Sequence, residues 1–138
     1  MKTLRPILAL AAVGGLQAAA FAAPTSAMPD GRFLERPATD PAVAAQWKDV
    51  LVDPEDTYAG SPPVAFVAEK TDAKGRRIVA TVLLSGTSCN VNRCNMRILV
   101  DGRIKLDTMV CSNVTTLAMA PDGSWISACS ERFAVPRR

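Results

Sequence analysis

The chain of 138 residues contains no histidine. Enzymes of the Ser–His or Cys–His type need an imidazole to accept the proton of the nucleophile, so both classes are excluded. Mixed cysteine–histidine zinc sites are excluded for the same reason, and no glycine-rich phosphate-binding loop is present. The sequence therefore predicts a protein that is not an enzyme and has no cofactor and no metal ion. The remaining catalytic alternative is a small enzyme that uses carboxylates alone, for which Asp53, Glu55 and Asp56 are clustered on a segment where acids commonly face water.

Long apolar runs are also scarce, and the clearest one lies at the start of the chain. Lys2 and Arg5 precede residues 7–22, which carry no charge and end in the small-x-small triplet 20–22. This order is typical of a secretory signal, whereas a membrane anchor needs about 20 apolar residues. The sequence predicts a signal peptide at residues 1–22, a periplasmic or secreted bacterial protein, and no membrane span in the mature form.

Strong net charge is missing from the mature chain. Removal of Lys2 and Arg5 lowers the formal charge from +3 to +1, so no electrostatic attraction to nucleic acid is expected. Residues 23–38 contain proline and glycine without periodicity and predict a flexible leader. Residues 39–138 then predict one small domain.

One helix is expected at the start of this domain. Asp40 can cap its first amide groups, and Pro41 suits the first helical position. Asp53 ends the helix because it precedes a proline. An apolar stripe at helical spacing predicts the face that docks on a sheet, with the tryptophan as its anchor: Val43, Trp47, Val50 and Leu51.

From residue 63 onward the pattern predicts strands. Residues 64–68 and 77–84 flank a polar loop with a glycine and form a first hairpin. Together with two later hairpins they predict an α+β fold, in which one N-terminal helix packs on an antiparallel meander of about six strands.

The second hairpin turns around Asp101-Gly102. A three-residue loop over 100–102 pairs Ile98 with Ile104 and is favoured over a two-residue loop because it collects apolar residues on one face. That register also pairs Met96 with Leu106. The opposite face, expected in solvent, then holds Arg97, Leu99, Arg103 and Lys105.

The third hairpin joins residues 114–119 to residues 124–129 through Pro121-Asp122-Gly123. Proline suits the first turn position and glycine supplies the positive φ angle. The expected register places Met119 opposite Trp125 and Thr115 opposite Cys129.

The even number of cysteines predicts two disulfides in an oxidising compartment. A four-thiolate zinc site is the rival, but it requires closer Cys-x-x-Cys spacing. Local closure pairs Cys89 with Cys94, and elimination pairs Cys111 with Cys129. A tight turn at 112–113 would hold the second pair about two strand spacings apart, beyond the roughly 7 Å that a disulfide tolerates. Either the turn is wider or Cys111 leaves the plane of the sheet.

The ring closed by Cys89 and Cys94 is the candidate binding element, because a rigid loop binds without a large ordering cost. An ordinary stapled turn is the equal alternative. The candidate binding residues lie between the two cysteines: Asn90, Val91, Asn92 and Arg93.

This segment also carries a resemblance to a known family. Ser88-Cys89-Asn90-Val91-Asn92-Arg93-Cys94, followed by Arg97-Ile98-Leu99-Val100, is similar to the loop and strand of the periplasmic inhibitor of vertebrate lysozyme. The resemblance implies a small antiparallel sheet flanked by helices and a loop that blocks a lysozyme cleft. The family's loop carries a histidine, where this chain has Asn92.

Together these features predict an exported module that binds a protein partner, with an inhibitor of the lysozyme-inhibitor type as the specific form. The alternative is a structural accessory of the cell envelope without inhibitory activity. The identity of the partner does not follow from the sequence.

Overall fold

Two antiparallel β-sheets form most of the structure, a computed structural model that describes residues 30–138. The predicted signal peptide and residues 23–29 of the predicted leader lie outside the described residues. The first sheet has the strand order β1-β2-β3-β4-β5, and the second has the order β6-β7-β8. The strands are β1 (Leu34–Pro37), β2 (Val64–Thr71), β3 (Arg77–Leu84), β4 (Arg93–Val100), β5 (Arg103–Cys111), β6 (Ala118–Met119), β7 (Trp125–Ala128) and β8 (Glu131–Ala134).

The predicted α+β class is wrong, because the fold is mostly β. The helix α1 spans only Pro41–Gln46, although Asp40 caps it as expected, with its Oδ1 accepting a hydrogen bond from the Ala42 amide at 2.9 Å. The apolar stripe continues past the helix through turns, since the amides of Val50 and Leu51 both bond to the carbonyl of Trp47. The spacing of the apolar residues therefore predicted the face that docks on the sheet, but it did not predict the length of the helix.

The five-stranded sheet is covered on both faces. Strand β3 lies at its centre, and every residue from Ile78 to Leu84 is buried. One face packs against the segment around α1, where Val43 and Trp47 are fully buried. The other face packs against the second sheet through Ile126 and Ala128. A central strand buried on both faces requires a continuous apolar run, which β3 has.

Strand β1 begins inside the segment that the sequence predicts as a leader. It pairs with β2, with Leu34 opposite Val67 and Pro37 opposite Val64. Proline is compatible with this position because β1 forms one edge of the sheet. The first hairpin, between β2 and β3, is antiparallel as predicted.

The predicted register of the second hairpin is wrong. Val100 pairs with Arg103 across a two-residue turn, in which Asp101 and Gly102 have φ angles of 50° and 77°. A bulge in β5 at Lys105 then shifts the pairing, so that Ile98 faces Leu106. The predicted register assumed that only one face of the hairpin is buried, whereas both faces of β4 are covered.

This register also corrects the expected basic face. Arg97 is only 4 % exposed and Leu99 only 8 %, since both lie against the α1 segment rather than in solvent. Of the predicted basic triplet, only Arg103 and Lys105 are exposed.

The third hairpin is shorter than predicted. The side chain of Asn113 accepts hydrogen bonds from the amide and the hydroxyl of Thr115, and residues Val114–Thr116 form a 3₁₀ helix instead of a strand. Local bonds of this kind compete with sheet pairing. Met119 pairs with Ile126 rather than Trp125, and Thr116, not Thr115, contacts Cys129, by accepting a hydrogen bond from its amide at 2.7 Å.

Both disulfides are present, and they join Cys89 to Cys94 and Cys111 to Cys129. The geometric difficulty with the second pair disappears because Cys129 follows β7 in the second sheet, and the wider 3₁₀ connection brings the two Cα atoms to 6.3 Å. This disulfide therefore ties the two sheets together. Within the part of the chain that the structure describes, no helix has the length and apolar character needed to cross a membrane.

Candidate functional site

The loop between β3 and β4 rests on a buried base. Ser88 is 2 % exposed, and its hydroxyl donates a hydrogen bond to the carbonyl of Leu83 at 2.6 Å. The amides of Ser85 and Ser88 each donate to the hydroxyl of the other residue. The start of the loop is therefore fixed to the end of β3 before the disulfide ring begins.

The ring itself is a closed turn. Cys89 and Cys94 form an antiparallel bridge, with their Cα atoms 4.0 Å apart. Across the turn, the amide of Asn90 donates to the carbonyl of Arg93 at 2.8 Å, and the side-chain oxygen of Asn90 accepts a bond from the Arg93 amide at 3.1 Å. The polar side chain of Asn90 thus shapes the turn.

The guanidinium of Arg93 binds other residues of the protein. Its two terminal nitrogens bond to the carboxylate of Glu131 at 3.2 and 3.1 Å. One of these nitrogens also donates to the carbonyl of Met109 at 2.6 Å. The guanidinium therefore fastens the ring to β5 and to β8. Its partner in β8 lies 38 residues away in the chain, and no sequence signal marks it.

The two remaining predicted residues are exposed, as Asn90 is. The side chain of Val91 is 91 % exposed. The backbone carbonyl of Asn92 accepts a bond from the amide of Ser112 at 2.9 Å, whereas its side-chain amide bonds to no other residue in the described part of the chain. We call the surface formed by Val91 and Asn92 the tip. It presents one apolar group and one amide on a fixed backbone, and it carries no charge.

The cluster of acids predicted as a catalytic alternative is not arranged as a facing pair. Asp56 is 8 % exposed, and its carboxylate accepts a hydrogen bond from the amide of Thr87 at 3.2 Å. Asp53 and Glu55 are exposed, and the carboxylate of Asp53 accepts a bond from the Glu55 amide. Asp53 and Asp56 therefore stabilise loops by accepting hydrogen bonds from backbone amides. Among residues 30–138 there is no group of three or more potential metal ligands.

A large concave surface lies elsewhere in the fold. It has a volume of about 650 Å³ and shares no residue with the ring. Its apolar wall comes from both sheets and their connections and includes Phe33, Phe66, Leu117 and Met119. The candidate loop is therefore not part of this concave surface.

Any function assigned to this loop rests on its own residues and geometry. Its resemblance to the lysozyme-inhibitor family covers residues 88–100 alone. Compared with known proteins, the chain matches no family model, no curated protein and no solved structure.

Proposed function

We propose that the mature chain is an exported protein-binding module, and that the tip enters a cleft of its partner. The exposure of Val91 carries this proposal. A valine side chain gains about 1.5–3 kcal/mol when it moves from water into an apolar environment. The protein instead keeps this side chain 91 % exposed at the end of a closed ring.

The fixed backbone of the ring supports the same proposal. Binding by a flexible loop loses free energy through ordering, whereas a loop that is already held by a disulfide and internal hydrogen bonds avoids most of that cost. Five contacts hold the tip before any partner arrives: the disulfide, the two bonds between Asn90 and Arg93 across the turn, the bond from the Asn92 amide to the Asn90 side chain, and the bond from Ser112 to Asn92. A rigid and uncharged tip with an exposed apolar side chain suits a cleft such as an enzyme active site.

A vertebrate lysozyme is the partner that the loop resemblance suggests, and inhibition is the activity. Because the two terminal nitrogens of Arg93 are bound to Glu131 and Met109, specificity would come from the amide of Asn92 and from apolar contact by Val91. Two disulfides are compatible with the oxidising space that such a role requires.

The test measures how the oxidised mature chain, residues 23–138, affects lysis of a bacterial cell-wall suspension by vertebrate lysozyme. Val91→Asp should weaken inhibition at least about tenfold, equal to 1.4 kcal/mol, because a charge would enter the partner's cleft. Val52→Asp is the matched control, since Val52 is 73 % exposed and lies outside the ring.

Absence of inhibition by the unmodified chain would rule out the lysozyme-type activity. The wider proposal is tested separately by pull-down from a periplasmic extract with the same two variants. A partner that binds both variants equally well would rule out the tip as the binding element.

A further inference from the structure

A second concave surface, of about 380 Å³, lies at the turn between β4 and β5 and is lined mainly by cations. The lining comes from three separate parts of the chain. We call it the basic surface: Arg76, Val100, Asp101, Arg103, Lys105, Arg137 and Arg138.

Specific hydrogen bonds bring these parts together. One terminal nitrogen of Arg76 donates to the carbonyls of Pro136 and Arg137, at 3.2 and 2.9 Å. The other terminal nitrogen forms an ion pair with Asp72 at 2.8 Å. Arg76 therefore holds the last residues of the chain beside the β4–β5 turn, and its own position is fixed by Asp72.

The turn is fixed as well. The side chain of Asp101 accepts a hydrogen bond from the amide of Arg77 at 2.9 Å, which anchors the turn to the start of β3. Arg103 and Lys105 follow this turn on β5, which is an edge strand. Both residues are exposed.

The positive charge of this surface is only partly compensated. Among residues 30–138, Arg103, Lys105, Arg137 and Arg138 form no ion pair with a carboxylate side chain, and residues 1–29 contain no Asp or Glu. Within the surface, Asp101 is the only acidic side chain. This concentration contrasts with a formal charge of only +1 after removal of Lys2 and Arg5.

We propose that the basic surface binds clustered phosphate groups. Guanidinium groups match phosphate oxygens through paired hydrogen bonds, and lysine adds a mobile point charge. A concavity of about 380 Å³ admits a small anionic group rather than a folded acidic protein. The phosphates can belong to a lipid headgroup or to a soluble polyphosphate.

The first measurement is calorimetric titration of the mature chain with inorganic tripolyphosphate. Arg103→Gln with Lys105→Gln should weaken binding at least about tenfold, because two of the cations are lost. The matched control, Lys48→Gln with Arg132→Gln, removes the same charge from exposed positions outside the surface and should change the affinity less than about twofold.

Arg76→Lys tests the positioning of the chain end, because it keeps the charge but cannot reproduce the planar fork that spans two carbonyls and Asp72. We expect about a threefold loss of affinity together with greater backbone mobility at residues 136–138, measured as lower NMR order parameters, a readout that charge alone would not change.

Cosedimentation with vesicles of phosphatidylcholine, with and without phosphatidylglycerol, identifies the source. Binding to the anionic vesicles assigns a lipid headgroup, and binding to tripolyphosphate alone assigns a soluble anion. The proposal is overturned if neither probe binds, or if the control pair weakens binding as much as the Arg103, Lys105 pair. These outcomes do not depend on the tip.

Discussion

The guanidinium of Arg97 lies over the indole ring of Trp47, with its Cζ 4.3 Å from the ring centroid. Beneath this contact, the indole nitrogen of Trp47 donates a hydrogen bond to the hydroxyl of Thr81 at 3.0 Å. The same guanidinium forms ion pairs with Asp49 and Asp107 and donates to the carbonyl of Gln46. Arg97 thus joins the α1 segment to β4 and β5. These contacts help to dock the α1 segment on the sheet, where the sequence predicts a longer helix that docks through an apolar stripe.

Arg97→Met should lower the free energy of unfolding by about 2 kcal/mol, since it removes a desolvated cation–π contact and charge-assisted hydrogen bonds. The loss should stay below that of a fully buried ion pair, because the side chains of Asp49 and Asp107 are 58 % and 42 % exposed and water can solvate them. Urea unfolding measures the change. Arg103→Met, on the exposed start of β5, is the control and should cost less than about 0.5 kcal/mol; an equal loss in both variants would contradict the role of Arg97.

The same ion pair predicts a dependence on acid. The hydrogen bond from Arg97 lowers the pKa of Asp49 from 3.8 to about 2. A lowered carboxyl pKa stabilises the fold above the unfolded value, and this contribution is lost as the pH falls through the folded value. The stability gap between the unmodified chain and Asp49→Asn should therefore be constant above about pH 4 and shrink as the pH approaches about 2.

Urea titrations at a series of pH values measure this gap. A gap that persists unchanged at the lowest pH would show that Asp49 stabilises the fold without its charge. Asp49→Asn in the Arg97→Met background is the control, because the guanidinium that lowers the pKa of Asp49 is absent there, and the gap should depend on pH much less.

The two disulfides should differ in their contribution to stability. The chain-entropy relation gives about 3 kcal/mol for a loop the size of that between Cys111 and Cys129, and about 2 kcal/mol for the ring between Cys89 and Cys94. The first pair spans 18 residues and ties two sheets together, whereas the second spans 5. We expect Cys111→Ala with Cys129→Ala to lower the melting temperature more than Cys89→Ala with Cys94→Ala, as measured by calorimetry; the reverse order would contradict this account.

Local patterns predicted strands β2 to β5 of the first sheet, the helix cap and the cysteine pairs, because each depends on residues that are close in the chain or few in number, whereas β1 lies in the segment predicted as a leader. The hairpin at Asp101 shows the limit of this reasoning. The register was chosen to bury one face, but the α1 segment and the second sheet cover both faces of β4. Alternation within one strand does not reveal which other segments will cover it.

Long-range polar contacts explain what the sequence did not show at the candidate site. Asn90, Val91, Asn92 and Arg93 were selected together because they lie between two cysteines. Arg93 differs from the other three because its guanidinium binds Glu131, which lies 38 residues away in the chain. The basic surface was missed for a similar reason, since Arg76 assembles it from distant parts of the chain.

Gly86 lies just before the disulfide ring, where the β3–β4 loop passes very close to residues 56 and 57. A Cβ atom at position 86 would lie 2.6 Å from the carbonyl oxygen of Thr57 and 2.6 Å from a carboxylate oxygen of Asp56. Gly86→Ala should therefore displace one of these segments and lower the free energy of unfolding by about 2 kcal/mol. The control is Gly75→Ala, which has open space but a φ angle of 77° and should cost about 1 kcal/mol from backbone strain alone.

Because Asp56 holds the amide of Thr87, the displacement should also reach the base of the ring. Amide exchange at residues 87–90 should accelerate in Gly86→Ala and stay unchanged in Gly75→Ala, and the binding activity of the tip should fall in the first variant alone. If Gly86→Ala is as stable and as slowly exchanging as the unmodified chain, the loop has room to relax and the tip does not depend on this close approach.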